Sequence, residues 1–169
     1  MIEGNTHPAA INVPAIGDYW AGQGGVYAGI MPDYVGSRPY HLIVSIDEAL
    51  AVAWGGYGRE EPKARSKSDG DANTQVLERC PHRHPAAHWA ADYRKDGHDD
   101  FHLPAQLELE AAMTLLSDHF TPSDWYWSST DHSATEAEGH NRNGVDFAQM
   151  FKTFEGRARA VRRIFVSDR

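Results

Sequence analysis

A single cysteine, Cys80, excludes an intramolecular disulfide and any metal site built from several thiolates. Branched aliphatics are scarce as well. Leu, Ile, Val and Phe number 30 of 169 residues, about 18%, which with a net charge of −8 approaches the composition of disordered chains. No apolar run nears the ~20 residues of a membrane-spanning helix. The start, Met1-Ile2-Glu3-Gly4, lacks the basic and apolar regions of a secretion signal. A protein made in the cytoplasm, without membrane insertion, is the expectation.

Aromatics fill the gap. Five Trp and seven Tyr each bring a large apolar surface, on the order of 150–250 Å², so the core is expected to rest on rings and alanines. Charge is unevenly placed. Residues 1–151 hold 10 basic against 22 acidic groups, and residues 152–169 hold 6 against 2. An acidic body disfavours nucleic acid, whose phosphates need a basic surface. Arg157, Arg159, Arg162 and Arg163 alternate with Ala158, Ala160, Val161 and Ile164, the pattern of a last strand with solvated arginines on one side.

Pro8 and Pro14 among small residues mark residues 1–16 as an extended arm, leaving 17–169 as one domain. Residues 18–30, rich in Gly, Tyr and Trp, predict a hairpin; they lack the Gly-Lys-Ser/Thr ending of a phosphate loop. Residues 40–45 form the clearest strand, and 55–72 read as a polar loop. Asp71 or Asn73 is expected to cap a short helix ending at Cys80. Pro85 opens a second helix that runs to Gly97, and Pro104 opens a third with Leu107, Ala111, Met113, Leu115 and Leu116 at helical spacing. Strands are expected again at 125–127, 146–151 and 160–166. In the first of these, Trp125 and Trp127 face one side and Tyr126 the other, with one face in the core. Helices in the middle and strands at both ends define an α+β fold.

Ten histidines invite a metal reading, five of them between 82 and 102. His84 and His88 have the i, i+4 spacing of a zinc-protease helix, but Pro85 stands where the general-base glutamate belongs. The histidines are therefore read as surface or packing groups, and no metal or cofactor is assigned. Asp96, Asp99 and Asp100 lack the ladder of a calcium loop and read as a turn. Ser128, Ser129 and Thr130 lie beside Asp131-His132 without a Gly-x-Ser-x-Gly elbow. Cys80 and His82, two residues apart across Pro81, make a poor thiolate–base pair. No catalytic residue is assigned, and an enzyme is not expected.

Three segments carry a family likeness: 97–109, with Leu103-Pro104-Ala105 and Glu108-Leu109; 125–130, with Trp125, Tyr126, Trp127, Ser128 and Ser129; and 158–163, with Arg159, Val161 and Arg162. Together they resemble the bacterial and phage domain family typified by the C-terminal domain of a collagen-like bacterial adhesin, with Phe101-His102 replacing its usual aromatic pair. The resemblance implies a C-type-lectin-like fold: twisted antiparallel sheets, two or three helices, and paired N- and C-terminal strands. It further implies that Leu103, Pro104, Glu108, Trp125, Trp127, Ser128, Ser129, Arg159, Val161 and Arg162 are scaffold. The Glu-Pro-Asn and Trp-Asn-Asp ligands of calcium-dependent lectins do not occur. Residues 16–44 look like versions encoded by tailed phages and prophages. The implied function is a tail-associated virion protein, favoured as a homotrimer, that contacts a host surface receptor (glycan, pilus or outer-membrane protein) and other tail subunits. Tyr57, Arg59, His132, His140, Asn141 and Arg142, read as loop residues, are the candidate ligand contacts. The alternative is a decoration or tail-completion protein without a receptor.

Overall fold

β-Branched and aromatic residues toward both ends of the chain build one sheet, and the alanine-rich middle builds three helices. The computed structural model describes residues 12–32, 34, 38–144 and 148–166. The strands are β1 (Tyr19–Trp20), β2 (Gly25–Met31), β3 (Tyr40–Val52), β4 (Trp125–Asp131), β5 (Glu136–Asn141), β6 (Ala148–Phe151) and β7 (Gly156–Phe165). The helices are α1 (Gly70–Arg79), α2 (Pro85–Asp92) and α3 (Gln106–Leu115). Sheet order is β1-β2-β3-β7-β4-β5-β6. Neighbours are antiparallel except β4 and β7, which meet in parallel at Tyr126 and Arg157. The architecture is α+β, and no described helix is long and apolar enough to cross a membrane.

Among the described residues, the expected pairing of first and last strands does not occur. β7 pairs with β3, from Tyr40 opposite Phe165 to Val52 opposite Gly156, while β1 lies at the sheet edge beyond β2. Length explains the choice: β3 has 13 residues to match the 10 of β7, and β1 has two. The residue 18–30 hairpin forms as β1 and β2. Gly25 is needed there, because a Cβ would lie 2.3 Å from the Val44 carbonyl oxygen. Of the 146–151 strand, residues 146 and 147 fall outside the described residues, as do 1–11 of the proposed arm.

Helix boundaries shift by local chemistry. Asp69, not Asp71 or Asn73, caps α1 by accepting from the Ala72 N–H at 3.0 Å. Asn73 instead turns inward, bonding Ser66 and Ser129. Pro85 does open α2, but the helix ends at Asp92. Gly97 (φ 79) belongs to a separate tight turn with Asp96 (φ 51), both left-handed, between Lys95 and His98. Pro104 precedes α3 rather than opening it; its carbonyl accepts from the Ser129 N–H at 2.8 Å. The buried stripe of α3 is Glu108, Leu109, Ala112 and Met113, continuing to Leu116, whereas Leu115 is exposed.

Both faces of the sheet are covered. Trp54, Leu77, Ala86, Ala90, Phe101 and Trp127 pack under α1 and α2. Leu42, Val44, Leu109, Met113, Phe120 and Tyr126 pack under α3. Alternation along β4 therefore sends Tyr126 and Trp127 into different cores, which corrects the expectation of a single core face. The β7 arginines are not solvated either. Arg157 and Arg159 converge on Glu48, Arg162 pairs with Asp100 at 2.8 Å, and Arg163 meets Asp69 at 3.1 Å and Glu108 at 3.3 Å. Carboxylates from the acidic body supply these ionic partners, while Arg159 also donates to the Ser45 and His119 carbonyls and Arg162 to that of Gln23.

Candidate functional site

The loop after β3 is tied down along its length by the sheet behind it. The Trp54 indole N–H donates to the Ser128 carbonyl at 2.9 Å, and the Gly58 N–H donates to the Ala134 carbonyl at 2.8 Å. Lys152, fully buried at the end of β6, pairs with the equally buried Asp131 at 2.7 Å, donates to the Arg59 carbonyl at 2.8 Å and lies 4.7 Å over the Trp54 ring. Asp131 also accepts from the Glu61 N–H and from Arg65 Nε. The tip, with Tyr57 54% exposed and Arg59 exposed, is thus held from below by charge-assisted bonds. His132 stands in the adjoining β4–β5 turn, half-exposed, with Nδ1 3.2 Å from Glu138. The structure therefore brings Tyr57, Arg59 and His132 to one end of the sheet.

His140, Asn141 and Arg142 are elsewhere. His140 and Asn141 are buried residues of β5, opposite Tyr126 and Trp125, so their reading as solvated loop residues is corrected. β5 is flanked on both sides, by β4 and β6, and the Asn141 side chain bonds the Asp124 carbonyl and the Asn143 N–H. Arg142 donates to the Phe120 carbonyl at 3.3 Å. His140 and Arg142 line a shallow depression of about 290 Å³ beside α3. His132 meets Glu138, two residues along β5 from His140, but lies outside this depression.

The segment between α1 and α2 gathers a third group. Cys80 ends α1, His84 caps α2 and His82 lies between them. Glu61 reaches all three from the loop after β3. Its Oε2 accepts from the Cys80 thiol at 3.2 Å; its Oε1 contacts His82 Nε2 and lies 3.3 Å from His84 Nε2. One ligand atom from each of the four lies within 4.8 Å of the others. Burial lowers the pKa of His84, and its Nδ1 is 3.0 Å from the Trp54 carbonyl. Burial and the Glu61 carboxylate push the Cys80 thiol up to about 11. An open cleft of about 480 Å³, lined by Glu61, Pro62, Val76, Cys80 and Pro81 among others, borders the group. His88 does not join it; its Nδ1 is 2.8 Å from the His84 carbonyl, so the His84–His88 pair never forms. Cys80 and His82 were visible in sequence, but Glu61, 19 residues before Cys80, carried no signal.

The signature residues lie inside the framework. Leu103, Pro104, Glu108, Trp127, Ser128, Ser129, Val161 and Arg162 are buried, and Trp125 and Arg159 half-buried. Ser128 Oγ donates to the Glu138 carbonyl, and Asp131 is engaged by Lys152, so the hydroxyl run makes no triad with His132. Glu108 accepts from Tyr40, Gly70, Ala105, His102 and Arg163, joining β3, α1, α3 and β7.

No family model and no curated protein matches the chain.

Proposed function

We propose that the chain is a tail-associated phage virion protein whose lectin-like domain holds the Tyr57–Arg59 loop toward a receptor on the host surface. The supporting observation is the pairing of an exposed aromatic and an exposed cation on a loop anchored by the buried Lys152–Asp131 pair. A ring and a guanidinium held in place lose little freedom on binding, which is how contact surfaces gain affinity. His132 adds a third polar group beside them. Repeated copies, a trimer in this reading, would compensate for weak single contacts. The reading assigns no catalytic residue and no cofactor.

A second reading, a decoration or tail-completion subunit, draws on exposed apolar groups. Leu50 (66% exposed) and Phe154 (46% exposed) share one depression, together with half-buried Trp125. Such a patch suits burial against a neighbouring subunit.

The test is binding of the purified chain to envelope vesicles from the bacterial strain that carries the gene. Saturable binding is expected, reduced about tenfold or more by Tyr57→Ala/Arg59→Ala with an unchanged melting temperature. Wild-type chain that ignores the vesicles, or a double variant that binds like wild type, refutes the receptor reading. Recovery of the chain in tail particles without vesicle binding favours the second.

A further inference from the structure

We propose that Glu61, Cys80, His82 and His84 bind one divalent transition-metal ion of the zinc class, through one thiolate, two imidazoles and one carboxylate. The site is independent of the receptor reading, because it rests on donor atoms that the proposed contact surface does not use.

Donor type and spacing come first. Thiolate, imidazole and carboxylate are the three ligand classes of zinc, and bonds of about 2.0–2.3 Å in a tetrahedron place ligand atoms roughly 3.3–3.8 Å apart. Here Cys80 Sγ to Glu61 Oε2 is 3.2 Å and His84 Nε2 to Glu61 Oε1 is 3.3 Å, with one atom from each of the four residues within 4.8 Å of the rest. Shifts of about an ångström complete the shell. Thiolate and carboxylate together carry two negative charges, which match a dication.

The orientation of His84 is the second observation. Its Nδ1 faces the Trp54 carbonyl, which can only accept, so Nδ1 carries the hydrogen. In the neutral ring Nε2 then points a lone pair at Glu61 Oε1, another acceptor, with the His84 side chain fully buried. Two buried acceptors facing each other call for a cation between them. A carbonyl on the far nitrogen is also the usual support of a metal-bound imidazole.

The backbone wraps the same place. Gly56 is left-handed (φ +66), and a Cβ there would lie 2.7 Å from His84 Cε1 and 3.0 Å from His82 Nε2. Main chain thus closes over the two rings on one side. On the other side Glu61 and Cys80 border the open cleft, an approach route for an ion. The His82 ring is held through Nε2 alone, since its Nδ1 is buried without a hydrogen-bond partner among the described residues. Binding replaces the Cys80 S–H bond by a sulfur–metal bond and releases that proton to solvent. Four protein ligands make a closed site, a staple between the loop after β3 and the α1–α2 joint.

The experiment uses the whole chain, freed of metal by a chelator and titrated with cobalt(II) alone. The expected result is saturation at one equivalent, with a sulfur-to-cobalt charge-transfer band and the visible bands of tetrahedral cobalt, both abolished by added zinc. Cys80→Ser removes the charge-transfer band, and His82→Gln weakens binding roughly 10–100-fold or more. His98→Gln, outside the cluster, leaves both unchanged. Circular dichroism reports whether each variant folds, and the wild-type spectrum needs no variant at all. No saturable uptake, a cobalt spectrum without the thiolate band, or a folded Cys80→Ser variant that retains that band overturns the proposal.

Discussion

Glu108→Gln removes one charge from the carboxylate that joins four elements of the fold, and its cost is expected to depend on pH. Burial alone would raise this carboxyl, but the His102 imidazole and the Arg163 guanidinium outweigh it and hold it down to about 2, against an ordinary 4.5. A group depressed in the folded state stabilises it above the unfolded value, and that stabilisation fades as pH falls toward the folded one. The gap between 4.5 and about 2 corresponds to ~3 kcal/mol at neutral pH. By pH 3 about 2 kcal/mol of this is lost. Gln preserves shape and one acceptor oxygen but leaves Arg163 partly unpaired in the interior, so the variant is expected to be ~3–5 kcal/mol less stable at pH 7. The assay is urea unfolding followed by Trp fluorescence at pH 7, 5, 4 and 3. The stability gap between wild type and variant should narrow steadily, by about 2 kcal/mol at the acid end. A gap that stays constant with pH, or one under about 0.5 kcal/mol at pH 7, refutes the role given to this carboxylate.

Two further substitutions probe the anchoring and the sheet. Lys152→Met leaves Asp131 buried without its closest cation and is expected to cost ~3–5 kcal/mol in chemical denaturation. Adding Asp131→Asn should restore part of that loss, because the uncompensated charge is then gone. Gly25→Ala forces a methyl against the Val44 carbonyl, 2.3 Å away without relaxation, and should cost ~1–3 kcal/mol in a thermal melt as β2 shifts off β3.

What could be read from sequence was local. The hairpin at 18–30, the strand at 40–45 and the Pro85 start of α2 depend on residues close to one another, and they formed where expected. Strand partners depend on lengths far apart in the chain, so the match between β3 and β7 was invisible. Alternating Arg and Ala in β7 has the pattern of a solvated face. Only the fold shows that Glu48, Asp69, Asp100 and Glu108 arrive from separate segments to meet those arginines. His140 and Asn141 sit in a polar run that reads as loop, yet β5 carries them opposite Tyr126 and Trp125, where both are buried. At the Glu61 cluster, three donors lie within five residues while the fourth comes from a loop that merely reads as polar.

The position of β7 has a consequence for how the chain is made. Strands β1 to β3 and strands β4 to β6 are linked within the sheet only through this segment, which sits between β3 and β4. Its pairing with β3 joins residues more than a hundred positions apart, as with Ala49 and Ala158. Contacts of such long range are slow to form. Until residues 156–165 leave the ribosome, both partial sheets keep an open rim, with Leu42 and Val44 on one side of the gap and Tyr126 on the other. The sheet therefore stays divided until this segment is made, with the nascent chain most prone to aggregation just before it arrives.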